Sequence, residues 1–103
     1  MTIYNNVLLT VSSLEDVNTV ATKLTSLASA SMLEPGCERF EVYHSETESK
    51  VFILIEQWQS QQALDQHREA TAFQSIYLPD VIPLVTRSPH LCRLLTEGRG
   101  NLG

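Results

Sequence analysis

The stretch VFILIEQWQSQQALDQH, residues 51–67, changes its hydrophobic period halfway along, and that change decides the fold. Val51 to Ile55 is an apolar run of strand-forming residues. Alternation places Phe52, Leu54, Glu56 and Trp58 on one face and Val51, Ile53 and Ile55 on the other. Ser60 then offers a helix N-cap, and Ala63, Leu64 and His67 follow at helical spacing. A strand this apolar belongs in a core. It nevertheless ends in a carboxylate and an indole, with an imidazole on the inward row of the helix that follows.

Upstream, IYNNVLLTV (residues 3–11) alternates as a strand, with Val7, Leu9 and Val11 on one face and Tyr4, Asn6 and Leu8 on the other. Ser12 or Ser13 caps a helix whose apolar residues step as Val17, Val20, Ala21, Leu24, Leu27 and Ala28, and which is expected to run from Leu14 to about Leu33. Pro35 and Gly36 stop it, the first by lacking an N–H and the second by accepting positive φ. Residues 37–45 alternate again, with Phe40, Val42 and His44 on one side, and a polar turn leads into residues 51–58.

Beyond Ser60 the inward helical row continues to Thr71. Phe73, Ile76 and Tyr77 form a fresh i, i+3, i+4 face, so the helix is predicted to bend or restart near 70–72. Pro79 and Pro83 are expected to break regular structure, with a last strand at 90–96. Residues 1–96 thus form one domain, and 97–103 read as a flexible tail. The order β-α-β-β-α-β predicts an α+β ferredoxin-like sandwich, an antiparallel sheet with helices on one face. Cys37 and Cys92 then fall on opposite edge strands, too far apart for a disulfide.

Both faces of strands one and three are apolar, and helices can cover only one of them. An uncovered face of several hundred square ångströms marks an interaction surface. A homodimer packed sheet against sheet is the expected cover, although a helical cover from another protein would satisfy the pattern equally.

Seven Lys and Arg stand against twelve Asp and Glu, a net charge of −5 that argues against nucleic acid or anionic lipid as the main partner. No apolar run approaches the roughly 18–20 residues that span a bilayer. The first residues lack a basic stretch followed by an apolar core, so a cytoplasmic location is expected. Glycine-rich phosphate loops, nucleophile elbows and metal-ligand spacings are absent from the sequence, and no metal or other cofactor is expected. His44 and His90 read as surface or edge residues.

If the face carrying Glu56 and Trp58 is the one the helices cover, these two converge with His67 on a space between sheet and helices. Asn6 and Tyr77 are able to face the same space. The plainer reading makes Trp58 a core cap, Glu56 a half-exposed strand end and His67 a satisfied core histidine. A carboxylate pointing inward needs a partner or a raised pKa, so Glu56 demands an explanation either way.

EPGCERFEVYHS (34–45), VFILIEQWQSQQALDQHREATAF (51–73) and PHLCRLL (89–95) together resemble the antibiotic biosynthesis monooxygenase domain, especially its small quinol-monooxygenase-like members. The resemblance runs from strand one to about Leu95, and the run from Glu56 to His67 is its most specific part. It implies a dimeric α/β barrel built from two ferredoxin-like subunits. It also implies oxidation of a small quinol or polyphenol-type aromatic by O₂ with neither metal nor flavin. On that basis His67 is the candidate base, with Trp58 and Asn6 as further catalytic candidates. Glu56, Tyr77, Phe73, Leu54 and Leu8 are the candidate substrate-binding residues.

Haem-degrading relatives use a strand-one Asn and a Trp ending strand three, which Asn6 and Trp58 match, but Tyr77 stands where their haem-ligating His would be. Ala72 replaces a His that many monooxygenase-like members carry. Relatives acting on phosphorylated sugars need cationic anchors, for which Arg39, Lys50 and Arg68 are available. The alternatives are therefore a haem-degrading monooxygenase, an isomerase or lyase of small carbonyl compounds or phosphosugars, and a non-catalytic dimeric ligand-binding protein.

Overall fold

The computed structural model describes residues 1–96; the predicted tail, 97–103, lies outside the described residues. The chain runs β1 (Ile3–Val11), a 3₁₀ turn (Leu14–Asp16), α1 (Val17–Ser31), β2 (Cys37–His44), β3 (Val51–Trp58), α2 (Gln61–Glu69), a π-helical segment (Phe73–Val81), a second 3₁₀ turn (Ile82–Leu84) and β4 (Val85–Cys92). The four strands form one antiparallel sheet in the order β2-β3-β1-β4. This is the expected α+β ferredoxin-like sandwich.

The strand register sorts every side chain to a face. Phe40, Glu56, Asn5 and Leu91 lie abreast across the four strands, as do Val42, Leu54, Val7 and Pro89, and then His44, Phe52, Leu9 and Arg87. This face carries the core: Val7, Leu9, Val11, Phe52, Leu54 and Trp58 are buried against Val20, Leu24 and Leu27 of α1, Leu64 of α2, and Tyr77 and Val81. Each such large apolar side chain contributes about 1.5–3 kcal/mol by leaving water. Ser60 caps α2, its hydroxyl accepting from the Ala63 N–H at 3.1 Å.

Several expectations are corrected. Asn6 and Leu8 share the opposite face from Trp58 and Glu56, because β1 buries its odd-numbered residues; Leu8 is 43% exposed, and Asn6 points its amide at the Cys92 thiol. The last strand begins at Val85 and ends at Cys92, five residues earlier than the expected start. Its edge position removes the alternation that would reveal it, and an edge also tolerates Pro89. Pro79 lies inside the π-helical segment rather than ending it, and Thr71 is exposed. The first turn after β1 is 3₁₀, and Ser13 makes no side-chain cap.

The outer face places Tyr43, Ile53 and Leu8 abreast, next to Ile55 and Val51, with no helix over them among the described residues. Cys37 and Cys92 are free thiols on the two edge strands, and burial pushes the Cys37 thiol up to about 11. No helix among the described residues is long and apolar enough to cross a membrane.

Candidate active site

Strand register delivers the first contact of the site. Asn5 sits directly opposite Glu56, and its Nδ2 donates to Glu56 Oε1 at 3.2 Å. Trp58, two residues along the same strand and on the same face, donates its indole Nε1–H to that same oxygen at 3.0 Å. The buried carboxylate that the sequence left unexplained is therefore held by two donors. Both bonds fall on Oε1, and Oε2 meets no donor among the described residues. Burial raises the Glu56 pKa, and the bonds from Trp58 and Asn5 oppose that shift only in part.

The second contact comes from the turn after α1. Gly36 holds φ at +82°, and its carbonyl accepts from the Gln59 N–H at 2.7 Å, which ties the turn to the junction of β3 and α2. Glu34 is thereby carried over α2, where its Oε1 lies 2.7 Å from His67 Nδ1. A carboxylate can only accept, so Nδ1 carries the proton and Nε2 keeps its lone pair in the neutral ring. No described residue bonds Nε2. The imidazole is packed by aromatic rings, with Trp58, Phe73 and Phe40 at centroid distances of 4.5, 5.2 and 5.6 Å.

The third contact closes the other end. Phe73 and Tyr77 project from the π-helical segment, their rings 5.0 Å apart, and Arg87 on β4 donates Nε–H to the Tyr77 hydroxyl at 2.9 Å. A π-helix widens the turn and is frequent at functional sites. Burial raises the Tyr77 pKa, opposed by the charge and hydrogen bond of Arg87.

These elements enclose a cavity of about 10 Å³, room for about one water. Asn5, Phe40, Leu54, Glu56, His67, Phe73, Tyr77 and Arg87 are in its wall. Glu56 and His67, each with an acceptor that meets no described donor (Oε2 and Nε2), thus line one small space of mixed polar and apolar walls. Among the described residues no group of three His, Cys, Asp or Glu side chains is disposed to hold a metal ion.

Residues 6–77 match the sequence profile of the antibiotic biosynthesis monooxygenase family. The chain belongs to that family. Its fold is that of a Bacteroides thetaiotaomicron protein of unknown function described as a possible oxidoreductase, at TM-score 0.82 and 23% identity over 88% of this chain and 95% of that one. A solved antibiotic biosynthesis monooxygenase superposes at TM-score 0.80 and 18% identity, over 90% of this chain and 99% of the other. At such identities the likeness speaks for the fold alone. An uncharacterized Synechocystis protein is 38% identical over 58 residues, which cover 56% of this chain and 34% of that protein, so the match spans about a third of that relative.

Within this family member, five of the residues expected at the site line the cavity: Glu56, His67, Leu54, Phe73 and Tyr77. Trp58 stands behind them, fully buried, with its indole bonded to Glu56 and its ring tilted against His67. Asn6 and Leu8 do not line this cavity, and Asn5 occupies the place expected of Asn6. Glu34, Phe40 and Arg87 were not anticipated. Asn5 was within reach of the alternation rule once Val7, Leu9 and Val11 are assigned to the helices; the other three depend on tertiary contacts.

Proposed function

We propose that this chain is a cofactor-independent monooxygenase that oxidises a small quinol or polyphenol-type aromatic with O₂. One observation carries the reading: a buried histidine held at Nδ1 by a part-buried carboxylate, with no described partner at Nε2, lines a small cavity walled by aromatic and polar side chains. His67 Nε2 takes a proton from a substrate hydroxyl, and Glu34 stabilises the imidazolium that results. Glu56 positions a second hydroxyl. The electron-rich oxyanion passes one electron to O₂, and the radical pair joins at a ring carbon as a peroxide, which takes the proton back from His67 to become a hydroperoxide. Loss of water leaves one oxygen atom on the ring as a carbonyl and carries the other away. Aromatic walls exclude bulk water from these steps.

The open sheet face of Leu8, Tyr43, Val51, Ile53 and Ile55 is covered by a second copy of the chain in this reading, which is consistent with the two-sided apolar strands. The haem-degrading alternative fits these residues poorly. Asn6 lies across the sheet from Trp58, and the Tyr77 hydroxyl is engaged by Arg87. An oxygen electrode tests the proposal against a panel of quinols and small carbonyl compounds, run with and without O₂. Uptake confined to the quinols supports it; turnover of carbonyl compounds without O₂ assigns the chain to isomerase or lyase chemistry.

A further inference from the structure

A second space adjoins the first. It is a surface cleft of about 340 Å³ lined by Arg68, Phe73, Tyr77, Leu78, Ile82 and Arg87. Of these six, Arg68, Phe73, Tyr77 and Arg87 also line the inner cavity. One wall therefore separates a space that fits about one water from a cleft in the size range of ligand pockets. Leu78 and Ile82 make the cleft apolar, and the two guanidinium groups make it cationic.

Those cations have little to occupy them. Arg87 spends Nε–H on the Tyr77 hydroxyl and stacks its guanidinium 5.9 Å from the Tyr77 ring centroid, and no described carboxylate lies within salt-bridge distance of it. Its remaining N–H groups form a fork suited to a carboxylate. Arg68 has one acidic neighbour, Asp65 at 3.8 Å, with both side chains well exposed, a contact weak in water. Two of the seven Lys and Arg residues thus meet at one cleft of a chain whose net charge is −5. An anion is repelled by the molecule as a whole and attracted there.

We infer that the ligand of this site is an aromatic acid, its carboxylate held by Arg68 and Arg87 in the outer cleft and its ring reaching past Phe73 and Tyr77 toward His67. The inference rests on the inner cavity being the place of reaction. It also accounts for access: a carboxylate on those free N–H groups draws the Arg87 guanidinium off the Tyr77 hydroxyl, which frees the phenol ring to swing and joins the two spaces. The apolar walls select an aromatic body over a sugar.

Calorimetric titration of the full chain under argon tests binding apart from turnover. The probes are 4-hydroxybenzoate, its neutral counterpart 4-hydroxybenzamide, phenyl phosphate and glycerol 3-phosphate. The benzoate is expected to bind at least about tenfold tighter than the amide. Added salt should shrink that preference. Arg68→Gln and Arg87→Gln are each expected to erase most of it. Equal affinity for acid and amide, an unchanged preference in both variants, or glycerol 3-phosphate binding as well as the benzoate overturns the inference; binding of phenyl phosphate above the benzoate overturns its carboxylate part. Acid preference without O₂ uptake would sink the oxidation and keep the binding site. Oxidation of neutral quinols without acid preference would do the reverse.

Discussion

Glu34 and His67, thirty-three residues apart in sequence, are joined by a 2.7 Å hydrogen bond from Nδ1 to the carboxylate, with both side chains largely buried. Glu34 is not in the cavity wall, so it acts on a ligand only through the imidazole.

Glu34→Gln keeps an acceptor for Nδ1–H and removes the charge that steadies the imidazolium. We expect kcat to fall by roughly tenfold to a thousandfold with little change in KM, since a positioned base contributes on that scale. Glu34→Ala should fall further and move the pH–rate profile. Steady-state kinetics across pH separates this from a merely structural role, which would lower the active fraction without moving the profile.

Glu56 makes stability depend on pH in a set direction. Its folded pKa is raised above the ordinary 4.5 by burial, so the folded state binds the proton more tightly than the unfolded chain. That stabilisation is fully present below about 4.5 and is lost as pH rises through the folded value. Glu56→Gln keeps an oxygen for Asn5 and Trp58 and removes the titration. Thermal unfolding from pH 4 upward should show a flatter profile in the variant, and parallel profiles would contradict the assignment.

Gly36 is set in the left-handed region, and a Cβ there would meet the Ala63 Cβ at 2.6 Å. Gly36→Ala is expected to cost about 1–3 kcal/mol in backbone strain, with the clash adding to it. A loss of that size lowers the Tm of a domain this small by roughly 5–15 °C. Because Gly36 ends the turn bearing Glu34, residual activity should fall more than the folded fraction does. Denaturant titration alongside kinetics reads both.

The outer sheet face supplies the dimer prediction. Ile53→Lys puts a charge at the middle of that face while leaving the helix-facing core untouched. Sedimentation is expected to give twice the chain mass for the parent protein and the single-chain mass for the variant. A parent protein that sediments as a monomer removes the second copy from the account.

Much of this is legible in the sequence. Alternation in 51–58 and the helical row Ala63, Leu64 and His67 define β3 and α2 unaided, because each element buries one face and so carries its period in its apolar residues. The same logic fails at β4, where every residue after Val85 is exposed and pairing with β1 alone makes the strand. The Asn5–Asn6 pair shows a different limit. Adjacent identical residues point to opposite faces, and with both faces of β1 apolar, alternation alone does not say which one the helices take. Glu34 and Arg87 were out of reach, since a turn residue and an edge-strand residue meet their partners only through the folded chain.

Isotope labelling tests the central claim most directly. The purified protein is given the best quinol of the panel under oxygen-18 gas, and His67→Ala is run beside it. One labelled oxygen atom is expected in each product molecule, with one labelled water released and turnover reduced by about a hundredfold or more in the variant. Product formed at the same rate under argon, or undiminished turnover with His67→Ala, would contradict this mechanism.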